Sequence, residues 1–151
     1  MRSGDPIVQI LLDASVLVAA SVESHPEHAR ALPWLQRIHA GDVVGIVAAH
    51  ALAEVYAVLT RLPVQPRITP QLAQQVITHN IIDRCTIVAL TPDDYAQILR
   101  DMADRGLIGG VIYDALAVYT ARQARVDQIV TLNAKDFRRI DPELSDKIIE
   151  P

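Results

Sequence analysis

Four short apolar runs, each separated from the next by stretches of helical periodicity, constrain the fold of this chain more than any other feature. Residues 7–12 are apolar except for Gln9 and rich in β-branched side chains, the pattern of a strand buried on both faces of a parallel sheet. Residues 43–47 repeat the pattern, weakened by Gly45, as do residues 86–90, and residues 128–131 form the last clear strand. Between the strands, residues 15–21 begin a short helix. Another starts at His25-Pro26-Glu27-His28, with Ala29, Leu32, Trp34, Leu35 and Ile38 at helical spacing, and Pro33 within it implies a kink or an initial turn separate from the rest. Residues 49–62 place Leu52, Val55, Tyr56 and Leu59 on one face and stop at Pro63 and Pro66. Thr69-Pro70 caps a helix running to about Ile82. Thr91-Pro92-Asp93-Asp94 combines an N-cap, a first-turn proline and first-turn acids, and opens a helix to about Arg105. Residues 106–110 form a flexible connector, and residues 114–124 a further helix. The alternation predicts one α/β domain over residues 1–151, a Rossmann-like three-layer sandwich with a mostly parallel sheet and helices on both faces.

In that architecture sites form outside the carboxyl ends of the strands. Asp13 comes directly after the first strand, and the loop after Thr131 carries Asn133 and Asp136 to the same edge. Glu54 and Asp114 arrive from helices. Each of the four acids stands where an apolar segment stops, and carboxylates so placed are costly to desolvate unless something positive neutralises them. Hard oxygen donors gathered in this way suit Mg²⁺ or Mn²⁺, which points to metal-dependent phosphodiester chemistry. Taken singly, Asp13 and Asp114 also read as N-caps of the helices after them.

Composition narrows the alternatives. Half of the 151 residues are hydrophobic and 21% are charged, which excludes a disordered chain. Aromatics contribute only 4%, so the core is aliphatic. No apolar run approaches the roughly 20 residues that span a bilayer, and the N-terminus lacks the pattern of a secretory leader, so a cytoplasmic location is expected. A single cysteine, Cys85, excludes an internal disulfide and a multi-cysteine zinc site. It reads as an inert thiol at the start of a buried strand. The net charge of −4 is matched by the four candidate acids, leaving a balanced surface elsewhere. His25 and His28 are expected to be surface residues at a helix start, His50 a packing or capping residue, and Trp34 a core or interface anchor. Gly109-Gly110 lacks the spacing of a phosphate-binding loop and is expected to allow close backbone approach to the helix carrying Asp114.

Five segments in order carry a family resemblance. They are Leu12-Asp13-Ala14-Ser15; Ser24-His25-Pro26-Glu27-His28 with Trp34-Leu35; His50-Ala51-Leu52-Ala53-Glu54; Gly109-Gly110-Val111-Ile112-Tyr113-Asp114-Ala115; and Thr131-Leu132-Asn133-Ala134-Lys135-Asp136-Phe137. With them the chain resembles the PIN domain, and within it the VapC-type toxin ribonucleases of bacterial toxin–antitoxin pairs. The resemblance implies a PIN-like fold and a catalytic set of Asp13, Glu54 and Asp114, with Asp13 and Asp114 as metal ligands. The fourth acidic position falls to Asn133, where many relatives carry Asp, or to Asp136, which is the preferred fourth carboxylate with Asn133 as a secondary contributor. Ser15 and Thr131 match small hydroxyl positions that hydrogen-bond the acids.

The same resemblance implies a Mg²⁺-dependent endoribonuclease, with Mn²⁺ as a substitute, cutting structured RNA such as transfer or ribosomal RNA. Lys135, Arg138 and Arg139 are the expected phosphate contacts. A cognate VapB-type antitoxin and a homodimer are the implied partners, with residues 49–62 and 69–82 supplying an apolar groove. Two other classes compete. A phosphoacceptor signalling domain also gathers acids at strand ends, but would show paired early acids and a lysine ending its last strand. A catalytically weak PIN scaffold that only binds proteins is left open by Asn133 and disfavoured by the intact acids.

Overall fold

The computed structural model describes Gly4 and residues 6–151. Strand β1 (Gln9–Leu12) lies at the centre of a five-stranded sheet of order β3-β2-β1-β4-β5, with β2 (Val44–Ala48), β3 (Thr86–Val88), β4 (Gln128–Val130) and β5 (Ile148–Ile149). Every pairing is parallel. The β1 side chains alternate across the sheet. Ile10 and Leu12 enter one buried cluster, and Leu11 enters the other. The first cluster joins the sheet to α1 (Ala14–Ser21), α2 (His28–His39), α3 (Ala49–Arg61) and α4 (Pro70–Ile77). The second joins it to α5 (Pro92–Asp104), α6 (Val111–Ala124) and α7 (Ala134–Ile140). This is the expected sandwich, with the sheet parallel throughout.

The local chemistry explains most element boundaries. Thr69 accepts the Leu72 N–H at the start of α4. A reciprocal capping box between Thr91 and Asp94 opens α5. Helix α1 is buried on nearly every side because α2 and α3 pack over it against the sheet. Gly45 stands in the middle of β2 for a packing reason: a Cβ there would lie 2.7 Å from Ile38 Cδ1 and 3.0 Å from Cys85 Sγ. The Cys85 thiol is pushed up to about 11 by burial, which leaves it inert.

Several expectations change. Residues 25–27 form a turn, and α2 begins at His28 and continues through Pro33, whose ring faces solvent. The α4 segment widens into a π turn over Thr78–Ile82, where the Asp83 N–H bonds the Thr78 carbonyl. Tyr56 leaves the packed face of α3 and is 41% exposed, while Ala51 joins Val55 and Leu59 inside. Gly109 is required by its φ of +70°, and Gly110 has open space around it, so neither marks a close approach. Helix α7, the 3₁₀ turn Pro142–Lys147 and β5 extend the chain beyond the strand expected to be last. Among the described residues, no helix is long and apolar enough to cross a membrane.

Candidate active site at the switch point of the sheet

The strand order reverses at β1. From there the chain builds β2 and β3 on one side and β4 and β5 on the other. At such a switch point neighbouring loops diverge and open a crevice. Asp13 leaves β1 there, tied to the adjacent strand by its N–H bond to the Val130 carbonyl at 3.1 Å. It is the N-cap of α1, with Oδ1 accepting the Ala14 N–H at 2.8 Å. Oδ2 accepts the Ser15 hydroxyl at 2.7 Å and the Thr131 hydroxyl at 2.9 Å. Both hydroxyls are themselves held. Ser15 Oγ accepts the Leu132 N–H at 3.1 Å, and Thr131 Oγ1 accepts the Asn133 N–H at 2.9 Å. The β4–α7 turn and the α1 N-terminus are thereby locked around one carboxylate.

Glu54 projects from the second turn of α3 and Asp114 from the first turn of α6. Together with Asp13, Ser15, His25 and Asn133 they line a cavity of about 300 Å³. Asp114 is pushed up to about 7, first by burial and then by the charges of Asp13, Asp136 and Glu54, with Arg139 opposing. Asp13 is raised as well. Burial outweighs its three hydrogen bonds, and the Glu54 charge adds to the effect. Glu54 Oε1 is buried without a hydrogen bond; His50 Nε2 stands 3.1 Å from it but lacks the alignment of one.

The remaining expected residues are spread around the rim. Asn133, at the start of α7, lines the cavity with its side chain free of any capping bond. Asp136 does not line it. Its carboxylate is 48% exposed and 3.9 Å from Arg139, yet its charge reaches Asp114. Lys135 and Arg139 are exposed beside the turn, whereas Arg138 donates to the Ile148 carbonyl at 2.7 Å. Among the described residues, no group of three or more His, Cys, Asp and Glu side chains is placed so that it could hold a metal ion as it stands. The donor chemistry nonetheless fits a hard divalent cation: carboxylate oxygens that raise one another's proton affinity, and an orphaned buried oxygen on Glu54.

The sequence profile of the PIN domain matches residues 10–142. The chain belongs to the PIN-domain family. Two curated members resemble it over most of their length. Ribonuclease VapC27 of Mycobacterium tuberculosis is 30% identical over 132 residues, covering 87% of this chain and 88% of that one. Ribonuclease VapC40 of the same species is 35% identical over 130 residues, covering 85% and 87%. These relatives make this PIN domain a ribonuclease of the VapC type. Solved structures agree on the fold. The VapC20 toxin of Mycobacterium tuberculosis, described as cleaving the sarcin–ricin loop, superposes with a TM-score of 0.62 at 17% identity over 80% of this chain and 86% of its own. VapBC2 from Rickettsia felis, bound to a promoter DNA fragment, gives 0.62 at 19% identity over 95% and 98%.

His25 is the residue of this PIN domain's cavity that sequence reasoning left on the surface. The Ser24-His25-Pro26 turn was the available signal. A turn placed between α1 and α2, directly after the helix that Asp13 caps, returns the chain to the mouth of the site.

Proposed function

We propose that this PIN domain is a Mg²⁺-dependent endoribonuclease toxin that hydrolyses phosphodiester bonds in structured RNA, transfer or ribosomal. The observation that carries the reading is the convergence of Asp13, Glu54 and Asp114 on one cavity, with Asp114 pushed up to about 7 by burial and its acidic neighbours. Such a cluster is unfavourable by itself and becomes favourable around a cation. Asp13 and Asp114 would hold Mg²⁺, or Mn²⁺ in its place, and Glu54 would complete the donor set. When bound, the ion supplies charge neutralisation at the phosphate and activation of water.

The rest of the chemistry belongs to side chains. Ser15 and Thr131 fix the Asp13 carboxylate in one orientation. Asp136, outside the cavity, keeps negative potential on Asp114, and Asn133 offers its amide to the substrate or to an ordered water. In-line attack by water forms the new P–O bond and breaks the bond to the 3′-oxygen, which takes up a proton. The products are a 5′-phosphate and a 3′-hydroxyl. Lys135 and Arg139 approach the phosphates of the flanking strand, with Arg138 contributing from the same helix by the donors left after its bond to Ile148.

A VapB-type antitoxin is the proposed inhibitor, acting in the cytoplasm on a toxin homodimer. Support for a groove comes from the cleft of about 390 Å³ bounded by α3, α4 and the end of α1, with Leu59, Val64, Ile68, Leu72 and Val76 supplying its apolar lining. A basic residue carried by an inserted segment would neutralise the acid cavity in the way the metal does.

Incubating purified protein with total RNA, with Mg²⁺ or EDTA, tests the reading. Discrete fragments with 5′-phosphates are expected from the wild type in Mg²⁺ and from neither EDTA nor Asp13→Ala samples. Cleavage that survives Asp13→Ala would remove this site from the reaction, and an inactive wild type in Mg²⁺ and Mn²⁺ would leave a protein-binding scaffold.

A further inference from the structure

The acid cavity lacks an obvious group to receive an anion. Three of its lining residues are carboxylates, and its Ser15 hydroxyl is already committed to Asp13 and Leu132. Two lining side chains can present an N–H to a phosphate: Asn133 from the β4–α7 turn and His25 from the α1–α2 turn. His25 is the more firmly held. Its backbone N–H bonds the Val22 carbonyl at 3.0 Å, and its carbonyl accepts the His28 N–H at 3.0 Å. The turn is pinned to α1 by His28, whose Nδ1 donates to the Ala19 carbonyl at 2.9 Å.

The tautomer of His25 is set by the same turn. Its Nδ1 accepts the Glu27 N–H at 3.0 Å. An accepting ring nitrogen carries no proton, so the proton is on Nε2, which makes no hydrogen bond among the described residues and belongs to a side chain that lines the cavity. The result is a half-buried, braced N–H donor beside three carboxylates. A metal-ligand role fits less well, because hard cations favour the oxygen donors already present.

Resting on the ribonuclease reading, we propose that His25 contacts the substrate, its Nε2–H donating a hydrogen bond to a nonbridging oxygen of the scissile phosphate. That bond offsets the repulsion between the phosphate and the acids and fixes which oxygen faces the metal site. The Nδ1 bond to Glu27 orients the donor, so one ring serves both the turn and the substrate.

Two replacements separate those roles, because an asparagine amide overlays Nδ1 and a glutamine amide overlays Nε2. Wild type, His25→Ala, His25→Asn and His25→Gln would be compared on an RNA oligonucleotide spanning a site mapped from total RNA, with melting temperatures measured alongside. Loss of about 10- to 100-fold in kcat/KM is expected for His25→Ala and His25→Asn, with most of it restored in His25→Gln. Recovery in His25→Asn and not in His25→Gln would assign the ring to bracing the turn and overturn the contact. Parity of His25→Ala with an active wild type would overturn the contact alone, whereas an inactive wild type would overturn the ribonuclease reading and the contact with it.

Discussion

Asp13 caps α1 with one oxygen and offers the other to two hydroxyls, so the helix N-cap and the candidate metal ligand are the same group. The two readings that the sequence set against each other at this position are therefore compatible. Thr131 is the partner most open to test, being fully buried and both a donor to Asp13 and the acceptor for Asn133. Thr131→Val keeps the shape and orphans the Asn133 N–H. It should lower stability by about 1–3 kcal/mol in urea titrations and slow cleavage by about tenfold. Asp114→Asn should do the opposite to stability. With a folded value of about 7 against an ordinary 3.8, the native carboxyl keeps a proton that the unfolded chain has released. Stability in EDTA is therefore highest below the ordinary value and falls as pH rises towards 7. At pH 8 the variant should melt a few degrees above wild type, about 1 kcal/mol after solvent screening, with a flatter pH profile and no cleavage. The acids were readable because each ends an apolar run. What surrounds them was not: His25 turns inward and Asp136 sits outside the cavity lining through turn geometry that residue type does not encode.

Elements with strong local chemistry were legible to within a few residues. Thr91-Pro92 and Thr69-Pro70 announced α5 and α4 because caps and first-turn prolines act within four residues. Helix α7 and strand β5 carry no comparable signal. Seven and two residues long, they persist through tertiary contacts. Arg105, the C-cap of α5, donates to the carbonyls of Arg139 and Ile140 at the end of α7, each at 2.8 Å. Arg122 on α6 binds Asp141 and Glu143, which steers the turn after α7 into β5. Gly45 shows the converse case, a residue that weakens a strand by propensity yet is required there by α2. Gly45→Ala should destabilise the protein by about 1–3 kcal/mol through overpacking against Ile38 and Cys85, read as a lower urea midpoint at unchanged m-value.

For the molecule as a whole, the periodicity of the chain specified parallel strands between two helical layers but not their order. Parallel pairing depends on where each crossover returns, and nothing in the apolar runs places β1 between β2 and β4 with β3 and β5 at the edges. That order matters because it sets Asp13 beside Thr131 and opens the crevice that Glu54 and Asp114 enter from helices on opposite faces of the sheet. Two apolar clusters hold these elements against the mutual repulsion of the acids, which a divalent cation would offset. The most direct test is calorimetric titration of Mn²⁺ into wild-type protein and Asp114→Asn at pH 8, above the value of about 7 to which Asp114 is pushed. Saturable binding to wild type, with a rise in melting temperature and a loss of at least tenfold in affinity for the variant, is the predicted result. Equal binding to both proteins, or none to the wild type, would contradict a metal site built from these acids.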